Sequence, residues 1–145
     1  MTSVGLLDVN VLVALAWPNH LGHATARAWL SQTGQRSGWA TTPITEAGFV
    51  RVSSNRMALP MSTSPSNAVH VLRALSAATG HEFWPDDVRF VTDEPLLTKL
   101  RGHKQITDAH LVALARYHEG HLVTFDRAIA SLADGADVEV LEASG

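Results

Sequence analysis

An α/β fold built on a central, mainly parallel sheet is predicted by three features of this 145-residue chain. Short apolar runs at residues 4–7, 37–41, 121–125 and 138–141 each read as a strand, and longer segments with apolar residues at helical spacing lie between them. Strands that alternate with helices are the pattern of a parallel sheet covered by its own crossovers. A hydrophobic content of 46% supplies one core, and no repeat or low-complexity segment interrupts the chain, so residues 1–145 are expected to form a single domain.

The elements follow in order. The run Val4-Gly5-Leu6-Leu7 ends at Asp8, and residues 9–16 read as a short helix that stops near Trp17-Pro18, because proline disfavours helical geometry in the residue before it. A second helix is predicted over 23–32, closed by Gly34. After the strand at 37–41, Thr42 caps a helix with Pro43 in its first turn and Ile44, Ala47 and Val50 on its apolar side, ending at Ser53-Ser54-Asn55. A loop rich in Ser and Pro spans 57–65. The helix predicted over 66–78 carries Ala68, Val69, Leu72 and Leu75 at helical spacing, with Gly80 as its stop. Phe83-Trp84 and residues 88–91 are short strand candidates, and 95–100 is a short helix candidate. The strongest helical pattern covers 107–117 and ends at Glu119-Gly120. A strand over 121–125, a short helix over 129–132 and a last strand over 138–141 complete the chain.

The absence of cysteine removes disulfides and thiolate zinc sites and fits a reducing compartment. The polar start is unlike a signal peptide, and the apolar stretch 9–17 is too short to cross a bilayer, so a cytoplasmic protein without a membrane segment is expected. The formal charge of −3 divides unevenly. Residues 1–73 hold five Arg against two acids, whereas residues 74–145 hold six Lys or Arg against twelve acids. The total argues against a general nucleic-acid binder. A local surface of Arg27, Arg36, Arg51, Arg56 and Arg73 is nevertheless available to hold phosphates beside an acidic pocket.

Carboxylates carry the functional signal. Asp8 and Glu46 are the only two acids between Met1 and His81. Asp8 and Asp126 each follow an apolar strand, which puts them at the carboxyl edge of a parallel sheet, where open α/β proteins bind ligands. Glu46 and Asp108 each fall in the first turn of a predicted helix, and they reach the same edge if those helices begin at the carboxyl ends of the strands. Each acid also has a plain structural role open to it: a turn for Asp8, a favourable helix dipole for Glu46 and Asp108, an N-cap for Asp126. If the four converge, repulsion raises the pKa of at least one of them unless a cation enters. Oxygen-only ligands suit Mg²⁺ or Mn²⁺, and such an ion supports phosphodiester hydrolysis without a cysteine, serine or lysine nucleophile.

Four segments together carry a family resemblance: Leu7-Asp8-Val9-Asn10, Ile44-Thr45-Glu46, Ile106-Thr107-Asp108-Ala109-His110 and Leu122-Val123-Thr124-Phe125-Asp126-Arg127. In this order they resemble the PIN-domain ribonucleases, specifically the VapC toxins of bacterial type II toxin-antitoxin pairs. The resemblance implies a PIN-like α/β/α sandwich, Mg²⁺-dependent endoribonuclease activity with Mn²⁺ as a substitute, a homodimer, and neutralisation by a VapB-type antitoxin. It makes Asp8, Glu46, Asp108 and Asp126 the catalytic, metal-binding quartet, with Asn10, Thr107 and Thr124 orienting carboxylates or waters. An acidic pocket also invites an antitoxin arginine, which pairs bidentately with carboxylates.

Two other readings are weighed against it. Asp8-Val9-Asn10-Val11 is faintly similar to the nucleophile loop of haloacid-dehalogenase-type phosphatases, but Asn10 stands where an acid is wanted there. A non-catalytic α/β binding module with structural acids is the other. The eight histidines show no zinc-like spacing with acids, and they are expected to be core or surface residues, as the four tryptophans are expected to serve the core or a dimer interface.

Overall fold

A computed structural model describes residues 2–91, Leu97, Leu100 and 102–143, apart from the side chain of Lys104. Its centre is a five-stranded, wholly parallel sheet of β1 (Gly5–Leu7), β2 (Trp39–Thr41), β3 (His81–Phe83), β4 (His121–Thr124) and β5 (Val138–Val140), in the order β3-β2-β1-β4-β5. The chain builds outward from β1 through β2 to β3, then crosses back to β4 and β5. The order therefore reverses between β1 and β4, and in an open parallel sheet the crevice outside that reversal is where ligands bind.

Side chains of successive strand residues point to opposite faces, and the core divides accordingly. Leu7, Trp39 and Val123 join the cluster formed with α1 (Val9–Ala16), α2 (His23–Trp29), α4 (Pro43–Ser53) and α5 (Pro65–Ser76). Leu6, Ala40, Leu122 and Val138 face the opposite cluster, supplied by α6 (Ile106–Tyr117) and Trp84. Helices cover both faces, and the result is the α/β/α sandwich that the sequence resemblance implied.

The ends of α1 have local causes. Asp8 has extended backbone at the N-cap and accepts the Val9 N–H at 2.8 Å, while Trp17, held extended before Pro18, ends the helix. The helix predicted over 23–32 runs further than expected. α2 passes into a π-helical turn at Leu30–Gly34 and then α3 (Gln35–Ser37). Gly34 adopts ordinary helical angles, and the stop falls at Gly38, whose φ of 94° is a left-handed conformation that favours glycine. α4 begins directly after β2 with Pro43 at its first position, and the Thr45 hydroxyl accepts the Thr42 N–H at 3.0 Å. Ser64 caps α5 by accepting the Asn67 N–H at 3.1 Å, which draws Pro65 from the expected loop into the first turn.

Two further expectations need correction or placement. Residues 88–91 form no strand and do not pair with the free edge of β3; Val88 packs instead against the α6 side of the core. The helix candidate at 95–100 lies outside the described residues except for Leu97 and Leu100. Among the described residues no helix is long and apolar enough to cross a membrane.

The crossover into β4 positions the remaining acid. α6 ends at Tyr117, and Glu119 with a φ of 60° turns the chain into β4 within a few residues. α6 therefore runs antiparallel to β4 and starts at the carboxyl edge of the sheet. α4 starts there too, because it follows β2 directly.

Candidate metal centre at the carboxyl edge

Asp8, Asp108 and Asp126 line one cavity of about 350 Å³ together with Val9, Asn10, Val13 and His20, and with Val52, Ala58 and Leu59 from α4 and the loop after it. Asp8 is only 8% exposed. Its Oδ1 caps α1, and its Oδ2 accepts the Thr124 hydroxyl proton at 2.7 Å. Burial raises the pKa of Asp8 against the lowering effect of these two hydrogen bonds, and the charge of Asp126 raises it further.

Thr124 is the hinge of this arrangement. It is fully buried at the end of β4, and its single hydroxyl proton goes to Asp8 while its oxygen accepts from Asn10 Nδ2 at 3.3 Å and from the Asp126 N–H at 3.0 Å. One donor and two acceptor positions exhaust a threonine hydroxyl. Asn10 adds a second tie, its Oδ1 accepting the Phe125 N–H at 3.2 Å. The strand end bearing Asp126 is thus fastened to the helix start bearing Asp8.

Asp126 is exposed, and its Oδ1 accepts the Ala128 N–H at 2.9 Å at the head of the 3₁₀ turn Arg127–Leu132. The capping roles open to Asp8 and Asp126 are therefore real, and both residues still line the cavity. Asp108, half-buried in the first turn of α6, is pushed up to about 6 from 3.8, first by burial and then by repulsion from Asp8 and Asp126. Among the described residues no Lys, Arg or His forms an ion pair with any of these three acids.

The other sequence candidates are placed differently. Glu46 lies in the first turn of α4 at the same sheet edge, but its carboxylate is outside the cavity lining and accepts the Thr41 hydroxyl proton at 2.7 Å. Because that proton is used, His81 Nε2, at 2.8 Å from the same oxygen, donates to Thr41. Thr107 is exposed on the first turn of α6. Arg51 and Arg56, both exposed in part or whole, stand one and two residues in sequence from Val52 and Ala58 of the cavity wall.

Three carboxylates that repel one another, with no ion-paired cation among the described residues, form a donor set suited to a hard divalent ion. Among the described residues no three acid or imidazole groups stand at direct-ligation spacing. Mg²⁺ is usually held by one or two carboxylates and keeps several waters, so it does not require three direct side-chain ligands.

His20 is the lining residue that sequence reasoning did not place in the site. Periodicity carries no information about a loop after a helix stop, and the lack of zinc-like spacing among the histidines says nothing of how His20 enters the cavity.

Comparison with known proteins identifies the family. The sequence model of the PIN domain matches residues 5–135. The chain is 51% identical over 143 residues to Ribonuclease VapC39 of Mycobacterium tuberculosis, covering 94% of this chain and 98% of that one. It is 50% identical over 131 residues to Ribonuclease VapC38 of the same organism, covering 90% of each. The fold superposes with a TM-score of 0.64, at 12% identity, on a chain from the crystal structure of VapBC2 from Rickettsia felis bound to a DNA fragment from their promoter, covering 96% of this chain and 99% of that chain. With a matching domain over most of its length, and half its residues shared with named VapC ribonucleases, the chain belongs to the PIN-domain family, in its VapC ribonuclease branch.

Proposed function

We propose that this chain is a metal-dependent endoribonuclease toxin that hydrolyses RNA phosphodiester bonds and is held inactive by a VapB-type antitoxin. The observation that carries the reading is the convergence of Asp8, Asp108 and Asp126 on one cavity with no ion-paired cation among the described residues; burial, and then repulsion from the other two acids, pushes Asp108 up to about 6. The names of the relatives, Ribonuclease VapC39 and Ribonuclease VapC38, support the activity. The Rickettsia felis structure, a VapBC2 complex, supports an antitoxin partner.

Asp8, Asp108 and Asp126 are the residues that would hold Mg²⁺, with Mn²⁺ as a substitute, and Glu46 is proposed to complete the set from the head of α4. A bound ion supplies Lewis acidity toward phosphate oxygen and lowers the pKa of a coordinated water. The chain's own residues supply the order. Thr124 fixes the Asp8 carboxylate through its only proton, and Asn10 fixes Thr124 and the backbone before Asp126. Thr107, on the same turn as Asp108, is proposed to orient a water there. Arg51 and Arg56 beside the cavity supply positive charge along the wall for flanking phosphates.

An antitoxin arginine seated bidentately on the carboxylates would exclude metal and phosphate together. The functional unit is proposed to be a homodimer of single-domain chains spanning residues 1–145. The test is incubation of purified, antitoxin-free protein with total cellular RNA in Mg²⁺, in Mn²⁺ and in EDTA. Discrete fragments that require metal are expected. Turnover of small phosphomonoesters instead would indicate a phosphatase, and no metal-dependent reaction at all would indicate a binding module.

A further inference from the structure

We propose that His20 is a substrate-contacting residue whose Nε2–H donates to a non-bridging oxygen of the scissile phosphate, an inference that rests on the ribonuclease reading above. His20 lines the cavity with Asp8, Asn10, Asp108 and Asp126. Its Nδ1 accepts the Gly22 N–H at 2.9 Å, so a neutral ring carries its proton on Nε2. Burial and the neighbouring His23 hold the pKa of His20 below its ordinary value, which favours that neutral form.

The loop that presents His20 is fastened at several points. The His20 N–H donates to Trp17 O and the His23 N–H to His20 O, each at 3.0 Å, and His23 Nδ1–H donates to Ala14 O at 2.8 Å. A Cβ on Gly22 would lie 2.7 Å from Phe125 Cζ, so the loop sits directly on the ring of the residue that precedes Asp126. The same Phe125 is tied through its N–H to Asn10. Loop, helix start and strand end are thereby locked together, and the ring of His20 is placed before substrate arrives.

Chemistry explains why a histidine suits this place. Of the lining side chains among the described residues, only Asn10 and His20 carry N–H donors, and the Asn10 amide nitrogen already bonds Thr124. A lysine or arginine at position 20 would pair with the three carboxylates and compete with the metal. A neutral imidazole donor instead bonds an anionic phosphate oxygen and leaves the carboxylates free.

Two variants separate contact from scaffolding. In His20→Asn the amide oxygen stands in for Nδ1 as acceptor and no donor reaches the ε position; His20→Gln places an amide N–H at the ε position. His20→Asn is expected to lower kcat/KM for RNA by about 10- to 100-fold with unchanged melting temperature and unchanged Mn²⁺ affinity, and His20→Gln to recover part of the loss. Sulfur at the non-bridging oxygen should slow the wild type more than His20→Asn. Wild-type cleavage by His20→Asn, or a loss of activity that tracks lost stability or Mn²⁺ affinity, overturns the proposal. Should the wild type cleave no RNA, the ribonuclease reading fails by itself, and the contact is read from the His20 ¹⁵N resonances on adding a short single-stranded RNA in Ca²⁺. A shift at Nε2 supports the contact, and unchanged resonances overturn it.

Discussion

The two ends of the central sheet treat their acids in opposite ways. At the amino end, His121, the first residue of β4, is fully buried, and its Nε2 donates to Glu139 Oε1 at 3.0 Å. Trp29 Nε1 donates to the other oxygen of Glu139 at 3.2 Å, and Ser3 Oγ shares a 2.7 Å hydrogen bond with His121 Nδ1. The pKa of Glu139 is lowered, first by the His121 hydrogen bond. At the carboxyl end Asp8 and Asp108 are raised, with burial the largest cause in both and repulsion among the acids adding to it. An acid that exists for the fold is given donors until its charge is comfortable. The acids at the carboxyl end retain a repulsion that is relieved by taking up a proton or an incoming cation, and that strained charge marks the site.

Substitutions that break this contrast are expected to act in a graded series. Asp8→Asn and Asp126→Asn, each close to isosteric and each still able to cap its helix, should lower metal-dependent RNA cleavage by at least about 100-fold without loss of fold, since loss of a ligand exceeds loss of an orienting partner. Circular dichroism beside the cleavage assay checks both halves. Thr124→Val removes the hydroxyl shared by Asp8, Asn10 and Asp126, and cleavage should drop by about 10- to 100-fold; initial rates at several Mn²⁺ concentrations would show whether weaker metal affinity accounts for the drop.

Glu139→Gln should leave cleavage unchanged and reduce stability by about 1–3 kcal/mol in urea unfolding, because buried His121 loses its charged partner. The pKa of Glu139 is depressed in the folded protein, so its contribution is complete above the unfolded value near 4.5 and fades as pH falls through the folded value. The smallest effect has the opposite sign. Asp108 binds its proton more tightly folded than unfolded between 3.8 and about 6, so stability is lost as pH rises through that window. Asp108→Asn should therefore stabilise the metal-free protein at pH 7 by about 1 kcal/mol once solvent screening of its exposed part is allowed for, and the gain should vanish below pH 4. Urea unfolding of metal-free protein at both pH values is the check.

How much of this was legible beforehand depended on how local each cause was. The strand ends at Asp8 and Asp126, and the span of α1, were readable because apolar runs, a capping acid and the Trp17-Pro18 stop all act within a few residues. The order of the four resemblance segments led to the family. The extension of α2 past Gly34 was not readable, since a glycine permits a stop without enforcing one, and here the left-handed angle falls at Gly38. Residues 88–91 have strand-like composition, but Val88 is drawn into the core beside α6 rather than onto the free edge of β3, a tertiary choice that composition does not carry. The separation of Glu46 from the other three acids, and the entry of His20 among them, depend on the Thr41 hydroxyl and on the seat of Gly22 against Phe125. The first is a local side-chain bond and the second a long-range contact, and neither has a signature in hydrophobic spacing.

The contrast between the two sheet ends is most directly tested by NMR titration of the carboxyl groups in metal-free protein, repeated with saturating Mg²⁺. The expected result is that Asp108 titrates near 6 without metal and moves markedly lower with it, while Glu139 stays below the ordinary range and does not respond. An Asp108 with an ordinary pKa in the metal-free protein, or one indifferent to Mg²⁺, would contradict the assignment of the carboxyl edge as a metal centre.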